Sequence, residues 1–175
     1  MIHTMSQPQI LESTLKDVDA IHELYRKARE YQKSRFQSHW PIFDKALVPQ
    51  EIGEHRQWKM LVDGKIACIW AITFSDPKIW EEKDTDPAVY IHRIVTHPDF
   101  RGQAFVEKIV EWAKVFAAKN GKEYIRLDTV GENLKLIEHY KRCGFHFLGL
   151  VKLKDTTGLP EHYQDAVVSL FELKA

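Results

Sequence analysis

Residues 90–106 run Tyr90-Ile91-His92-Arg93-Ile94-Val95-Thr96-His97-Pro98-Asp99-Phe100-Arg101-Gly102-Gln103-Ala104-Phe105-Val106. The first seven read as the end of a strand over 89–96. His97-Pro98 stops it, because proline lacks the N–H a ladder needs and restricts the residue before it. From Phe105 the period changes. Phe105, Ile109, Trp112, Ala113 and Phe116 fall on one helical face, and Val106, Val110 and Ala117 widen it. Asn120-Gly121 supplies the stop, so the helix spans 105–120. A second strand over 124–130 follows. Strand, helix and strand make a parallel, right-handed crossover. The loop before the helix faces the positive end of the helix dipole with unpaired N–H groups, a general anion site.

Working outward, Asp63-Gly64 lies between apolar runs at 58–62 and 65–74. Both central residues of such a two-residue turn take φ > 0, so the pair predicts a hairpin. Upstream, 10–13 reads as a first strand. Thr14, with Asp17 three residues on, can cap a helix carrying Leu15, Val18, Ile21, Leu24, Tyr25 and Ala28 on one face, to about residue 31. A loop rich in aromatic residues and histidine leads to a short helical region at 42–54, broken near Pro49. Residues 75–88 form a charged loop. Downstream, 133–142 is a helix closed by Gly144, and 147–153 and 166–173 are final strands, with Gly149 at a turn or bulge. The order is β-α-α-β-β-β-α-β-α-β-β. The fold class is therefore α/β: a mixed, mostly antiparallel twisted sheet of about six or seven strands with about four helices. It forms one domain over 9–175 after a short tail at 1–8, in which Met5 is an alternative start.

The 175 residues, 44% apolar and 29% charged, are enough to bury a core without staples. Lys plus Arg is 25 and Asp plus Glu is 25. That balance argues against a general nucleic-acid partner. No apolar run approaches the roughly 20 residues of a membrane span. No signal pattern opens the chain, and the two cysteines, Cys68 and Cys143, suit reduced thiols. Nucleic acid and membrane are not expected as partners, and a cytoplasmic location is.

The chain resembles the GCN5-related N-acetyltransferases (GNAT). In that family a strand and a proline precede an Arg/Gln-x-x-Gly-x-Gly/Ala loop and a helix; here His97-Pro98 and Arg101-Gly102 match in place. A later segment matches through Leu127-Asp128-Thr129, Asn133, Tyr140, Gly144 and Phe145, and the element order matches from about residue 9 to 174. The departures are Ala104 and Val106, where the family has glycine and Gly/Ala, and Leu136, where a small residue is common. The resemblance implies transfer of an acetyl or longer acyl group from acetyl-coenzyme A to a primary amine by direct attack. It implies that Ile94, Val95 and Thr96 hold the acetyl and pantetheine parts. It places the pyrophosphate on the backbone N–H groups of Arg101, Gly102, Gln103, Ala104, Phe105 and Val106, with Asn133 on the pantetheine arm. Tyr140 would contact the cofactor and protonate the thiolate. His39 and Trp40 lie where relatives place part of the acceptor site. Lys141 and Arg142 are candidates to touch a coenzyme A phosphate, although charges near a helix C-terminus need no ligand.

His92 stands where many relatives carry a glutamate base. A neutral imidazole accepts a proton near neutral pH, and a water chain could replace it. Strand alternation puts His92 on the face of Tyr90, Ile94 and Thr96. His92 and His97, five apart, then face opposite ways, no cysteine or carboxylate cluster completes a ligand set, and no metal is expected. Plainer roles exist for each residue: Tyr140 as a packed helix-face ring, Asn133 as a helix cap, His39 and Trp40 as core or surface. The acceptor, a small molecule or a peptide amine, is not legible, and a homodimer stays open. The rival readings are a coenzyme A-binding or sensing domain with little catalysis and an interaction domain of the same fold. A dinucleotide-binding domain is disfavoured, since no Gly-x-Gly-x-x-Gly follows a strand.

Overall fold

The computed structural model describes Thr4 and residues 6–175. Most of the expected tail's first five residues, Met5 included, lie outside the described residues. Ser6, also in that tail, donates its hydroxyl to Asp63 Oδ1 at 2.6 Å. One seven-stranded sheet runs β1-β2-β3-β4-β5-β7-β6. Its strands are β1 (Gln9–Glu12), β2 (Gln57–Val62), β3 (Lys65–Thr73), β4 (Ala88–Thr96), β5 (Tyr124–Val130), β6 (His146–Lys152) and β7 (Val167–Lys174). Every neighbouring pair is antiparallel except β4 and β5, which are parallel. The helices are α1 (Val18–Arg35), α2 (Leu47–Gly53), α3 (Pro77–Trp80), α4 (Phe105–Lys119) and α5 (Leu134–Arg142). Among the described residues, no helix is long and apolar enough to cross a membrane.

Local chemistry accounts for most of these boundaries. Asp63 and Gly64 take φ of 49° and 76°, the positive values a tight hairpin turn demands. Gly149, at φ 105°, marks the bulge where the β6–β7 register shifts. The Thr14–Asp17 box is present, with the Thr14 N–H donating to Asp17 Oδ2 at 2.7 Å, but it caps a 3-10 turn over Leu15–Asp17. The α-helix starts at Val18 and runs four residues past the expected end. Pro49 does not break the second helix. It occupies the third position of α2, in the first turn, where an N–H has no intrahelical partner to lose. The charged loop contains α3, which Pro77 opens, and a 3-10 turn over Glu81–Thr85.

α4 and α5 cover one face of the sheet, with Ile109, Ala113, Ile137 and Tyr140 packed on Trp70, Ile72, Val89, Ile91 and Phe171. Trp112 lies 4.7 Å from the Trp58 ring centroid and 5.3 Å from Trp70. Such pairs add about 0.5–1.5 kcal/mol each beyond burial. On the other face, α1 and α2 bring Ile21, Leu24, Tyr25 and Val48 onto Ile69 and Val95. Beside them, Ile79 and Trp80 cover Ala88, Tyr90, Val168 and Leu170.

β4 departs from simple alternation. Its register against β3 shifts between Ile69 and Ala71, leaving Arg93 and Ile94 in the bulge, and Arg93 takes φ 52°. The extra residue turns the strand over. Tyr90 stays on the α3 face, whereas Ile94 packs with Val89 and Ile91 beneath α4 and α5. Thr96 reaches Cys68 of that same core, Oγ1 to Sγ 3.8 Å. His92 therefore shares a face with Tyr90 but not with Ile94 or Thr96, because alternation does not survive a bulge.

Candidate active site

β4 and β5 pair only through Ala88–Tyr124, Val89–Ile125 and Tyr90–Arg126. Arg126 holds this end shut. Only 1% of its side chain is exposed, and it donates to Glu172, Asp86, the Lys83 carbonyl and the Tyr90 hydroxyl. Beyond it the bulge carries β4 away, and no residue of β5 pairs with Ile91–Thr96. A cavity of about 1700 Å³ occupies the gap. A single small ligand typically fills about 300–1,000 Å³, so two reactants can meet here.

Of the residues expected at the site, His39, Trp40, His92, Ile94, Val95, Thr96, Arg101, Asn133 and Tyr140 all line this cavity. Gly102, Gln103, Ala104, Phe105 and Val106 are not on its wall. Gly102 and Ala104 are exposed on the neighbouring loop, and the side chains of Phe105 and Val106 pack into the core. The backbone of that segment and the half-buried Gln103 side chain are what it can offer a ligand. Ala104, at φ 54° and ψ 41°, adopts the left-handed conformation glycine would supply, and no side chain caps the start of α4. The loop thus keeps a glycine-type shape and uncapped N–H groups without the glycine. Lys141 and Arg142 are not on the cavity wall.

Asn133 caps α5, its side-chain carbonyl accepting from the Leu136 N–H at 3.2 Å. That leaves the amide NH₂ to donate into the cavity. Tyr140 is 9% exposed and packs its ring against Phe145 and Phe171. Burial pushes its phenol well above the ordinary tyrosine value, so it stays protonated. The ring is packed while the residue still lines the cavity.

The expectation that no carboxylate cluster lies near His92 is overturned. Asp76, at the end of the loop after β3, places Oδ2 3.1 Å from His92 Nε2. Asp128, from β5, joins them, and one ligand-capable atom from each of the three lies within 4.8 Å of the others. Antiparallel β3–β4 and neighbouring β5 bring together residues that are 16 and 36 positions from His92 in sequence. Tyr163 Oη donates to Asp128 Oδ2 at 2.8 Å, while Asp128 Oδ1 is buried without a hydrogen-bond partner. Burial, with Asp76 nearby, raises the Asp128 carboxyl to about 6 against the opposing pull of His92. For His92, burial opposes protonation, but the hydrogen bond and charge of Asp76 and the charge of Asp128 outweigh it. The imidazole is held above its ordinary value. One imidazole and two carboxylates can share a proton, and the same donors could hold a divalent ion.

A second cluster went unseen in the sequence. The bulge aims Arg93 at α1 and α2, where it donates to both oxygens of buried Glu51 and, through Nε, to the Tyr25 hydroxyl at 3.1 Å. Its guanidinium lies over Phe43, which packs on Trp40. Arg93 thereby ties the loop carrying His39 and Trp40 to β4. His162, on the loop before β7, is pushed down to about 4 by burial and by the charges of Arg93 and His39.

A sheet opened between two parallel strands, with an uncapped helix start at one side and a proton-accepting cluster in the gap, defines an acyltransferase-type α/β domain. The profile of the acetyltransferase (GNAT) family matches residues 18–145, and the chain belongs to that family. An uncharacterized N-acetyltransferase of Bacillus subtilis, YesJ, is 30% identical over 74 residues, covering 42% of this chain and 41% of YesJ. An uncharacterized N-acetyltransferase of Methanocaldococcus jannaschii, MJ1207, is 29% identical over 150 residues, covering 79% of this chain. This chain spans 61% of MJ1207. Among solved structures, a GNAT-family acetyltransferase of Listeria monocytogenes superposes with a TM-score of 0.75 at 21% identity, over 96% of this chain and 95% of that one. The yncA protein of Salmonella typhimurium, solved with its cofactor acetyl-CoA, superposes with a TM-score of 0.67 at 14% identity, over 97% and 94% of the two chains.

Proposed function

We propose that the protein transfers an acetyl group from acetyl-coenzyme A to a primary amine by direct attack. The observation that carries this is the opening between β4 and β5, with Asn133, Tyr140 and the Asp76–His92–Asp128 cluster on the walls of one cavity. The cofactor suits the residues present. The free β5-side edge of β4 at Ile94, Val95 and Thr96 offers backbone groups to the acetyl and pantetheine parts, and the Asn133 amide offers a donor to the arm. The N–H groups from Gly102 to Val106 suit the pyrophosphate, the Arg101 N–H being turned back to the Pro98 carbonyl. When bound, acetyl-coenzyme A supplies an activated thioester.

The chain's own residues manage the protons. An amine arrives largely as ammonium and must lose a proton before it can attack. His92, its pKa held above the ordinary imidazole value by the two carboxylates, keeps a proton more readily than a free imidazole. Asp128, ionised above about 6, is the better acceptor, with His92 as its counter-ion. The pair titrates as a unit. Tyr140 keeps its proton at the Oη and offers it to the departing sulfur. Trp40 and His39 contribute to the acceptor wall.

The test is a screen of primary amines with acetyl-coenzyme A, reading free thiol and product mass, beside calorimetry of coenzyme A. Acetylated product is expected. Absence of coenzyme A binding at millimolar ligand by folded protein overturns the proposal and leaves the interaction-domain reading.

A further inference from the structure

The cavity is electrically polarised. Six Lys and Arg residues line it: Lys27, Arg35, Arg56, Arg93, Arg101 and Lys135. Arg35 and Arg101 share one end, with their guanidinium carbons 5.1 and 4.8 Å from the centre of the Tyr31 ring. Arg101 belongs to the loop before α4, where a phosphate would sit. Lys27 also lines a smaller neighbouring hollow with His97 and Asp99 of that same loop, and Lys135 is in the first turn of α5, next to Asn133 and near Glu132, a carboxylate on the same wall. The other end differs. Arg93 and Arg56 are its guanidiniums, and both are already engaged. Arg93 grips Glu51, and Arg56 contacts Glu51 at 3.4 Å and Glu54 at 2.7 Å. His162 is neutral there. Asp76 and Asp128 remain, each with a buried oxygen that no hydrogen bond among the described residues satisfies. Around them the wall is apolar and aromatic, with Trp40, Phe43, Ile79, Leu159, Pro160 and Tyr163.

We infer that the acceptor is a cationic primary amine on an apolar, ring-sized body, with no carboxylate beside the amine. This rests on the transferase reading above. The ammonium meets Asp128, whose free oxygen needs a donor, and the body meets the aromatic wall. A carboxylate next to the amine would enter a half-buried site facing two carboxylates, whose neighbouring imidazole, His92, is already engaged with Asp76, with no unpaired guanidinium to receive it. Desolvating it there without a partner is strongly unfavourable. An α-amino acid is therefore excluded by the same groups that attract the amine.

The experiment compares phenethylamine, phenylalanine, phenylalaninol and ethylamine. Each is measured twice: as an acetyl acceptor with acetyl-coenzyme A, and by calorimetry on protein saturated with coenzyme A. We expect phenethylamine to exceed phenylalanine by roughly 10²-fold in kcat/KM, about 2.7 kcal/mol. Phenylalaninol, equal in bulk but uncharged at that position, should restore most of the loss. Trp40→Ala should raise KM for phenethylamine roughly tenfold and narrow its advantage over ethylamine. Asp128→Asn should shrink the amine-over-amino-acid preference in the binding measurement. Phenylalanine equal to or better than phenethylamine overturns the inference and leaves the transferase reading intact. Phenethylamine that binds selectively but is never acetylated supports the acceptor class and counts against transfer. No binding and no turnover of phenethylamine overturns the acceptor class, with coenzyme A binding then judging the transferase separately.

Discussion

Replacing Asp128 by Asn should stabilise the fold while removing most of the activity. In the folded chain the carboxyl ionises at about 6 rather than at the ordinary 3.8. A carboxyl that ionises later in the folded than in the unfolded state withdraws stability as pH rises between those two values. At about 1.4 kcal/mol per tenfold change in ionisation, the ceiling is about 3 kcal/mol at neutral pH. The residue is half-buried and keeps some solvent, so about 1–3 kcal/mol is the working range. For a chain of this length that corresponds to a rise in Tm of roughly 2–12 °C. Asn has nearly the same shape and can still accept from Tyr163, so little packing is lost. Below about pH 4 both proteins carry a neutral group and should melt alike; the gap opens towards about pH 6 and then stays constant. Turnover should fall by roughly 10² to 10⁴, since an amide takes no proton. Thermal melts across that pH range, beside steady-state rates, check both halves. A variant that melts lower than wild type at neutral pH, or a gain in Tm that ignores pH, would refute the reasoning.

Tyr140→Phe keeps the ring packed on Phe145 and Phe171 but removes the donor. Turnover should drop by roughly 10² to 10⁴ with coenzyme A affinity unchanged, and unaltered single-turnover rates would remove the role. His92→Gln removes the cation beside Asp128. The acidic limb of the pH–activity profile should move to higher pH, and a limb that vanishes would place the base on His92 itself. Ala104→Gly relieves a left-handed alanine that costs about 1–2 kcal/mol, partly offset by glycine's greater entropy in the unfolded chain. Denaturant melts should show a gain of about 0.5–1 kcal/mol, and calorimetry should show coenzyme A affinity equal or up to roughly tenfold tighter. A loss of stability would mean that the loop does not hold that conformation.

The parts of the fold that were legible rest on local chemistry. The Asp63-Gly64 turn, the period of α4 and the obligatory crossover between β4 and β5 each follow from a handful of adjacent residues. The site was legible where it sits on those elements, as with Asn133 at a helix start and Ile94 to Thr96 before a proline. It was not legible where tertiary contacts decide. Nothing local marks Arg93 for a positive φ. It is neither Gly nor Asn, and what holds it there is Glu51 and Tyr25, 42 and 68 residues away. Asp76 looks like Asp84 and Asp86 in the same charged loop, and only the β3–β4 pairing sets it apart. Asp128 carried a usable signal, a carboxylate in a strand whose neighbours Leu127 and Ile125 are core, although Arg126 in the same strand turns out to be structural.

The bulge explains why these distant groups belong to one arrangement. In an unbulged β4, Arg93 would alternate onto the α4 face and bring a guanidinium into the core around Ile91 and Ile109. A charge there without a partner would cost several kcal/mol. The extra residue puts His92 and Arg93 on the same side instead. His92 meets Asp76 and Asp128, and Arg93 meets Glu51, so both charges find carboxylates. The same kink ends the pairing with β5 and opens the cavity. The strain of one left-handed residue, on the order of 1–2 kcal/mol, is therefore spread over three consequences: a cleft between parallel strands, the Asp76–His92–Asp128 cluster at its wall, and a clamp that holds the loop carrying His39 and Trp40. Removing the bulge would bury the wrong residues and close the cavity.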